Sequence, residues 1–250
     1  MHIMEGMLPG PWWEIWTVLS LIIIIAGIYQ LNKKVKENRE YLALLAVAGA
    51  FIFVLSSLKL PSVSGSCSHP TGTGLAAILF GPLITTVLGF IVLVFQALLL
   101  AHGGITTLGA NTFSMGFFGP LLAWILYIVL KKTKINVYVN VFIAAFVADF
   151  ATYVLTSIQL ASAQAYAFAG GFGGVFMDTF INYSIAFLGI FATTQLPLAI
   201  IEGLIIAVAF KYIAKSRGDL LVKLGAITEE QLESIVKPNK EVKGNEKIYS

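Results

Sequence analysis

Charge is scarce in this chain. Only 12% of its residues are Asp, Glu, Lys or Arg, against 58% hydrophobic, whereas soluble domains carry about 25% charge. That shortage excludes an ordinary soluble domain. Several apolar runs reach the roughly 20 residues needed to span a bilayer, which implies an all-α polytopic membrane protein. Cysteine is nearly absent: the single Cys67 excludes an internal disulfide and leaves the redox compartment open. There is no GxxxxGK[ST] loop, so ATP chemistry would have to come from another subunit. The small basic excess, net +3, does not point to nucleic acid; on a membrane protein it reflects basic cytoplasmic loops.

What is present divides into spans and loops. Trp12 to Leu31 is the first expected crossing, entered through an interfacial belt of Trp12, Trp13 and Trp16 and left through Lys33, Lys34, Lys36 and Arg39. Placing that basic loop in the cytoplasm puts the N-terminus outside. Tyr41 to Leu58 returns, and a polar loop follows from Pro61 to Gly74. Residues 109–130 form another span, ending at Lys131, Lys132 and Lys134. If both lysine clusters are cytoplasmic, the apolar stretch Leu75–Ala101 must turn back on itself, with Gly81-Pro82 as the break. Val137–Leu160 goes outward, and the glycine-bearing Ala161–Asn182 reads as an outer loop or re-entrant segment. Ile185–Phe210 goes inward to Lys211, Lys215 and Arg217. The expectation is about seven crossings, N-terminus outside and C-terminus cytoplasmic, in a multi-pass membrane protein. Residues 1–217 would be the membrane-embedded domain. Residues 218–250 would be a cytoplasmic segment, with a helix opened by the capping box Thr228-Glu229-Glu230-Gln231 and then a disordered tail.

The first residues, Met1-His2-Ile3-Met4-Glu5-Gly6, do not read as a removed signal, since no basic and apolar regions lead to a cleavage site. A free α-amine one residue before a histidine is a chelator by covalent structure. The Met1 amine, the His2 backbone nitrogen and the His2 Nδ1 close a five- and a six-membered ring on one ion. A fourth nitrogen would complete a square, which suits Ni(II), Cu(II) and Co(II) better than Zn, Mg or Ca. The chain has three histidines, all on the expected outer side, and His69 is the choice for the fourth donor. His102, flanked by Gly103 and Gly104, either ends a helix or lines the metal path. Cys67 lies two residues before His69, but one thiol does not make a tetrahedral structural site. Glu5 either attracts the cation or caps a turn. Asp149, Asp178 and Glu202 fall in or beside apolar spans, where carboxylates are costly and suggest function, or pair with neighbouring polar groups.

Two stretches carry a resemblance. Met1-His2-Ile3-Met4-Glu5-Gly6 together with Ser64-Gly65-Ser66-Cys67-Ser68-His69-Pro70-Thr71-Gly72-Thr73-Gly74 resembles the M component of energy-coupling-factor cobalt and nickel transporters, the CbiM/NikM family. The likeness covers the hydrophobic chain to about Arg217 and looks closer to the cobalt branch. It implies a non-enzymatic substrate-capture subunit without a resident cofactor, holding Co(II) or Ni(II) through Met1, His2 and His69. Glu5, Cys67, Ser68, His102 and Asn111 would lie around the ligands or along the ion's path. It further implies a membrane coupling subunit, ATPase subunits and a small accessory membrane protein as partners, and a role in cobalt supply for cobalamin synthesis. No accessory domain follows position 217, so that piece would be separate. Two other readings remain: a membrane enzyme subunit using Asp149, Asp178 or Glu202, and a self-sufficient divalent-metal permease.

Overall fold

The structure is a computed structural model that describes residues 1–61, 66–133 and 135–236. The tail expected to be disordered, from Lys237 on, lies outside the described residues. Among the described residues, six helices are long and apolar enough to cross a membrane. They are α1 (Trp12–Glu37), α2 (Glu40–Ser57), α4 (Pro82–Leu100), the combined helix Leu108–Lys131, α7 (Val137–Ala169) and α8 (Phe176–Lys223). Leu108–Lys131 is α5 (Leu108–Asn111), a π-helical stretch (Thr112–Phe118) and α6 (Gly119–Lys131) in continuous succession. Ile25 on α1 is 66% exposed and Val47 on α2 is 70% exposed. Such side chains face lipid, because water would not tolerate a belt of them.

The expected break at Gly81-Pro82 is present. The eight-residue α3 (Thr73–Phe80) ends on Gly81 at φ 81°, a conformation glycine adopts freely, and Pro82 starts α4. At 1.5 Å per residue α3 is about 12 Å long, less than half the ~30 Å hydrocarbon core. A helix this short survives because it is buried. The Cβ of any residue at Gly74 would come 2.9 Å from the Cα of Ala145, so α3 and α7 pack backbone to backbone. Beneath the hairpin tip lies a cavity of about 760 Å³ rimmed by Lys34, Lys131, Lys132 and Lys223, at the end away from the histidines.

One boundary is corrected. Ala161–Asn182 is not an outer loop or re-entrant segment: α7 continues to Ala169 and α8 begins at Phe176. The stretch is weakly apolar because it uses small residues, and Ala161, Ala163 and Ala165 are buried by close packing. Its polar side chains satisfy the backbone: Ser162 Oγ donates to the Gln159 carbonyl at 2.8 Å, and Gln159 Nε2 to the Ala110 carbonyl at 3.1 Å. The turn is confined to residues 170–175 and opens on Gly170 and Gly171, at φ 66° and 132°.

The long antiparallel pair α7–α8 forms the centre of the bundle. α8 loses helical geometry at Arg217 (φ −142°, ψ 48°). The chain beyond returns to the bundle, with Leu221, Ala226 and Ile227 in one core with Ile206 and Phe210. Thr228 and Gln231 exchange the expected capping-box bonds at 3.0 and 3.2 Å, opening α9 (Glu229–Val236). At the other end three short strands, β1 (His2–Ile3), β2 (Leu60–Pro61) and β3 (Ser66–Ser68), form an antiparallel sheet in the order β1-β3-β2. The sequence reading contained no sheet.

Candidate metal centre

The sheet places the site. In the β1–β3 ladder His2 lies opposite Cys67 and Ile3 opposite Ser66. The other edge of β1 is held by a side chain that imitates a strand. Asn111 Oδ1 accepts from the Ile3 N–H at 2.8 Å, and Asn111 Nδ2 donates to the Ile3 carbonyl at 3.0 Å. Thr107 Oγ1 adds a bond to the same carbonyl at 2.9 Å. Glu5 accepts from the Thr106 N–H at 3.2 Å and from the Thr106 hydroxyl. A Cβ at Gly104 would overlap the backbone and side chain of Glu5, so the terminus lies directly against this loop. Clamped on both edges, Met1, His2 and Ile3 are fully buried.

His69 is set by a different device. Glu202, buried on α8, accepts from the Thr71 N–H, from Thr71 Oγ1 at 2.7 Å and from the Gly72 N–H at 2.9 Å. A carboxylate at the start of α3 also suits that helix's dipole. Ser68 Oγ bonds Thr194 Oγ1 on α8 at 2.8 Å. The loop is therefore tied to α8 on both sides of His69. Between those ties, His69 Nδ1 lies 2.8 Å from the Pro70 carbonyl. A carbonyl only accepts, so Nδ1 carries the proton and Nε2 presents its lone pair. That Nε2 is buried and has no partner.

The three histidines meet. Ring centroids are 4.3 Å apart for His2–His69, 4.4 Å for His2–His102 and 4.9 Å for His69–His102. His2 Nδ1 is 3.0 Å from His102 Nε2, which is 2.9 Å from Cys67 Sγ. One donor atom from each of His2, Cys67, His69 and His102 lies within 4.8 Å of the others. Two imidazole lone pairs at 3.0 Å repel unless a proton or a cation lies between them. Burial, followed by the neighbouring positive charges, lowers the pKa of His2 and His69 well below 6.5 and that of His102 to about 4. Burial lowers the Met1 amine from its ordinary 8.0 as well, and raises the Cys67 thiol. At neutral pH the imidazoles are uncharged nitrogen donors beside a neutral thiol, and burial shifts the Met1 amine toward its neutral form. A cavity of about 260 Å³, lined by Met4, Lys59, Cys67, His102 and Gly103 among others, reaches the cluster from outside.

Of the residues singled out from sequence, Met1, His2, Cys67, His69 and His102 are brought together, with Asn111, Ser68 and Glu5 as their supports. Asp178 is not part of the site; it is exposed in the first turn of α8, where a carboxylate complements the helix dipole. Asp149 and Glu202 are fully buried near it. Thr107 and Gln195 were missed. A glutamine inside the apolar run of α8 was the available signal for Gln195; nothing marked Thr107.

Comparison with known proteins gives the family. Residues 2–220 match the family described as the cobalt uptake substrate-specific transmembrane region, CbiM. The cobalt transport protein CbiM of Carboxydothermus hydrogenoformans is 54% identical, covering 86% of this chain and 84% of its own. CbiM 1 of Methanosphaerula palustris is 59% identical over 94% of this chain and 98% of its own. A crystal structure described as a truncated transition metal transporter superposes with a TM-score of 0.72 at 26% identity, covering 85% of this chain and 98% of that one. The chain therefore belongs to the CbiM family and is a multi-pass component of a prokaryotic membrane transporter for cobalt or nickel.

Proposed function

We propose that this chain is the substrate-capture component of an energy-coupling-factor importer and that its cargo is Co(II), with Ni(II) as the alternative ion. The ligands in this reading are the Met1 amine, the His2 backbone nitrogen and Nδ1, and His69 Nε2. The observation that carries it is a buried amine next to three converging imidazoles whose lone pairs are unprotonated at neutral pH. Four nitrogens in a plane favour Co(II), Ni(II) and Cu(II) over octahedral Mg and tetrahedral Zn. The names of the relatives favour cobalt, and with it a supply role for cobalamin synthesis.

His102 and Cys67 line the outer cavity, so an arriving ion meets them first. Binding replaces the contact of His2 Nδ1 with His102 and leaves His102 beside the plane. Release inward requires a membrane coupling subunit and ATPase subunits, together with a small accessory membrane protein. This chain contributes recognition, not energy.

The test is magnetic. Ni(II) in a planar four-nitrogen field is low-spin and diamagnetic, whereas octahedral or tetrahedral Ni(II) is paramagnetic. The stoichiometric Ni(II) complex of the purified protein is expected to be diamagnetic. A paramagnetic complex would contradict the four-nitrogen plane.

A further inference from the structure

The buried polar groups nearest the metal centre are not all explained by it. Asp149 on α7 is fully buried, and neither of its carboxylate oxygens has a hydrogen-bond partner. Among the described residues no basic group lies within 4.0 Å of it; the salt bridges there are Lys34–Glu37 and Arg217–Asp219, both at the surface. Gln195 on α8 is 1% exposed, and both polar atoms of its side chain are equally without partners.

These two residues share a level. Tyr153 on α7 bonds the Leu188 carbonyl on α8, and Phe142 packs on Gly203. For antiparallel helices those two contacts place Asp149 opposite residues 192–196, hence beside Gln195. The His69 loop runs along the same part of α8, tied at Thr194 through Ser68 and at Glu202 through Thr71. His69 therefore lies at the height of Asp149 and Gln195. Met1 belongs to the core that Tyr153, Leu160 and Phe191 form between these helices. Of the two buried carboxyls that face the Met1 amine, Asp149 acts on it more strongly than Glu202.

An ionised carboxylate without a partner inside a membrane bundle is costly and calls for a cation. Charge counting identifies one. A divalent ion on two imidazoles, a neutral amine and one deprotonated backbone nitrogen leaves a buried charge of +1. Glu202 is already spent on Thr71, Gly72 and the start of α3, so it does not balance that charge. Asp149 is unpartnered and level with the site, and a buried cation is what would hold its carboxylate ionised.

We propose that Asp149 is the counter-ion of the metal centre: its carboxylate neutralises the buried complex across a water held by Gln195, without entering the ligand plane. This rests on the four-nitrogen reading above. Asp149 is thus a positioning residue that sets affinity for a divalent ion while leaving ligand geometry unchanged.

The experiment titrates Co(II) into the purified full chain with its native start, in wild-type, Asp149→Asn and Asp149→Glu forms, and records the magnetism of each Ni(II) complex. Asparagine keeps the shape and removes the charge. The affinity of Asp149→Asn is expected to fall by about 10- to 100-fold, the range for residues behind a metal's ligands. Its Ni(II) complex should remain diamagnetic, and Asp149→Glu should recover most of the loss. Wild-type affinity in Asp149→Asn would overturn the proposal. So would an affinity loss that the glutamate does not restore, or one accompanied by a lower thermal midpoint of the metal-free protein, since either marks a structural role. If wild-type Ni(II) is itself paramagnetic, the ligand reading fails, and that result is independent of what Asp149→Asn does.

Discussion

At the scale of the residue, the site is built from bonds that leave donors free. The Pro70 carbonyl fixes the His69 tautomer, so His69 Nε2 points inward with nothing to bond, and Asn111 fixes Ile3 and with it the place of His2. That arrangement has a cost that shows in acid. In an unfolded chain the histidines titrate near 6.5. Folded, burial holds His2 and His69 far lower and His102 at about 4. Between those values the unfolded chain binds more protons, so stability rises with pH there and is lost as pH falls from ~6.5 toward 4. The thermal midpoint of the metal-free protein in detergent should drop between pH 7 and pH 5, and His102→Gln should flatten part of that drop. A midpoint independent of pH in this window would show that the imidazoles are not held neutral by burial. At this scale the sequence was informative for a covalent reason: the chelate of an amine and the next histidine is written in residue order. The meeting of His102 with His2, a hundred residues apart, was not, since it depends on how α4 ends at Ala101 (φ 46°) and turns through Gly103.

At the scale of the element, short pieces do the positioning and long ones provide the frame. α3 could not span a bilayer, yet it carries the His69 loop to the level of α8 through Glu202. The 103–107 loop presses on the N-terminal segment at Gly104, where no side chain fits. Gly104→Val should therefore displace Met1 and His2 without touching a ligand. Co(II) affinity is expected to fall by about a hundredfold, as misplacement by ~1 Å can cost, while far-UV circular dichroism stays unchanged. Undiminished affinity would show that this loop does not hold the terminus. Apolar run length and the Gly81-Pro82 break made most helices legible. The strands were not legible, because two- and three-residue strands have no periodicity and depend on partners distant in the chain. Ala161–Asn182 was misread for a related reason. Its helix is stabilised by small-residue packing against α8, and a hydropathy window counts that weakly.

At the scale of the whole molecule, lipid-facing residues cover α1 and α2, and the polar cluster is enclosed at one end of the bundle. The two features of opposite character lie at opposite ends: uncharged nitrogen donors at one, and at the other a cavity of about 760 Å³ rimmed by four lysines. Ala144, Ala148 and Ile206 are fully buried in one core of the bundle. As the capture component proposed above, the chain would bind an ion and leave its movement to partner subunits. Liposomes holding this chain alone, without ATPase subunits, should show no Co(II) uptake above empty vesicles; sustained flux would support a self-sufficient permease instead. Membrane class and family were readable from composition and two motifs. Partners leave no such mark in one chain, since their contacts are made on surfaces that look like any lipid-facing helix.

The most direct test of the central claim is a titration of Co(II) and Ni(II) into protein with its native start, set against a form whose Met1 amine is acetylated. Acetylation keeps every side chain and removes only the amine as a donor, at a residue that is fully buried. The account predicts that affinity for both ions falls by orders of magnitude. Unchanged affinity would contradict it, and would move the ligand set to His69, His102, Cys67 and the carboxylate of Asp149.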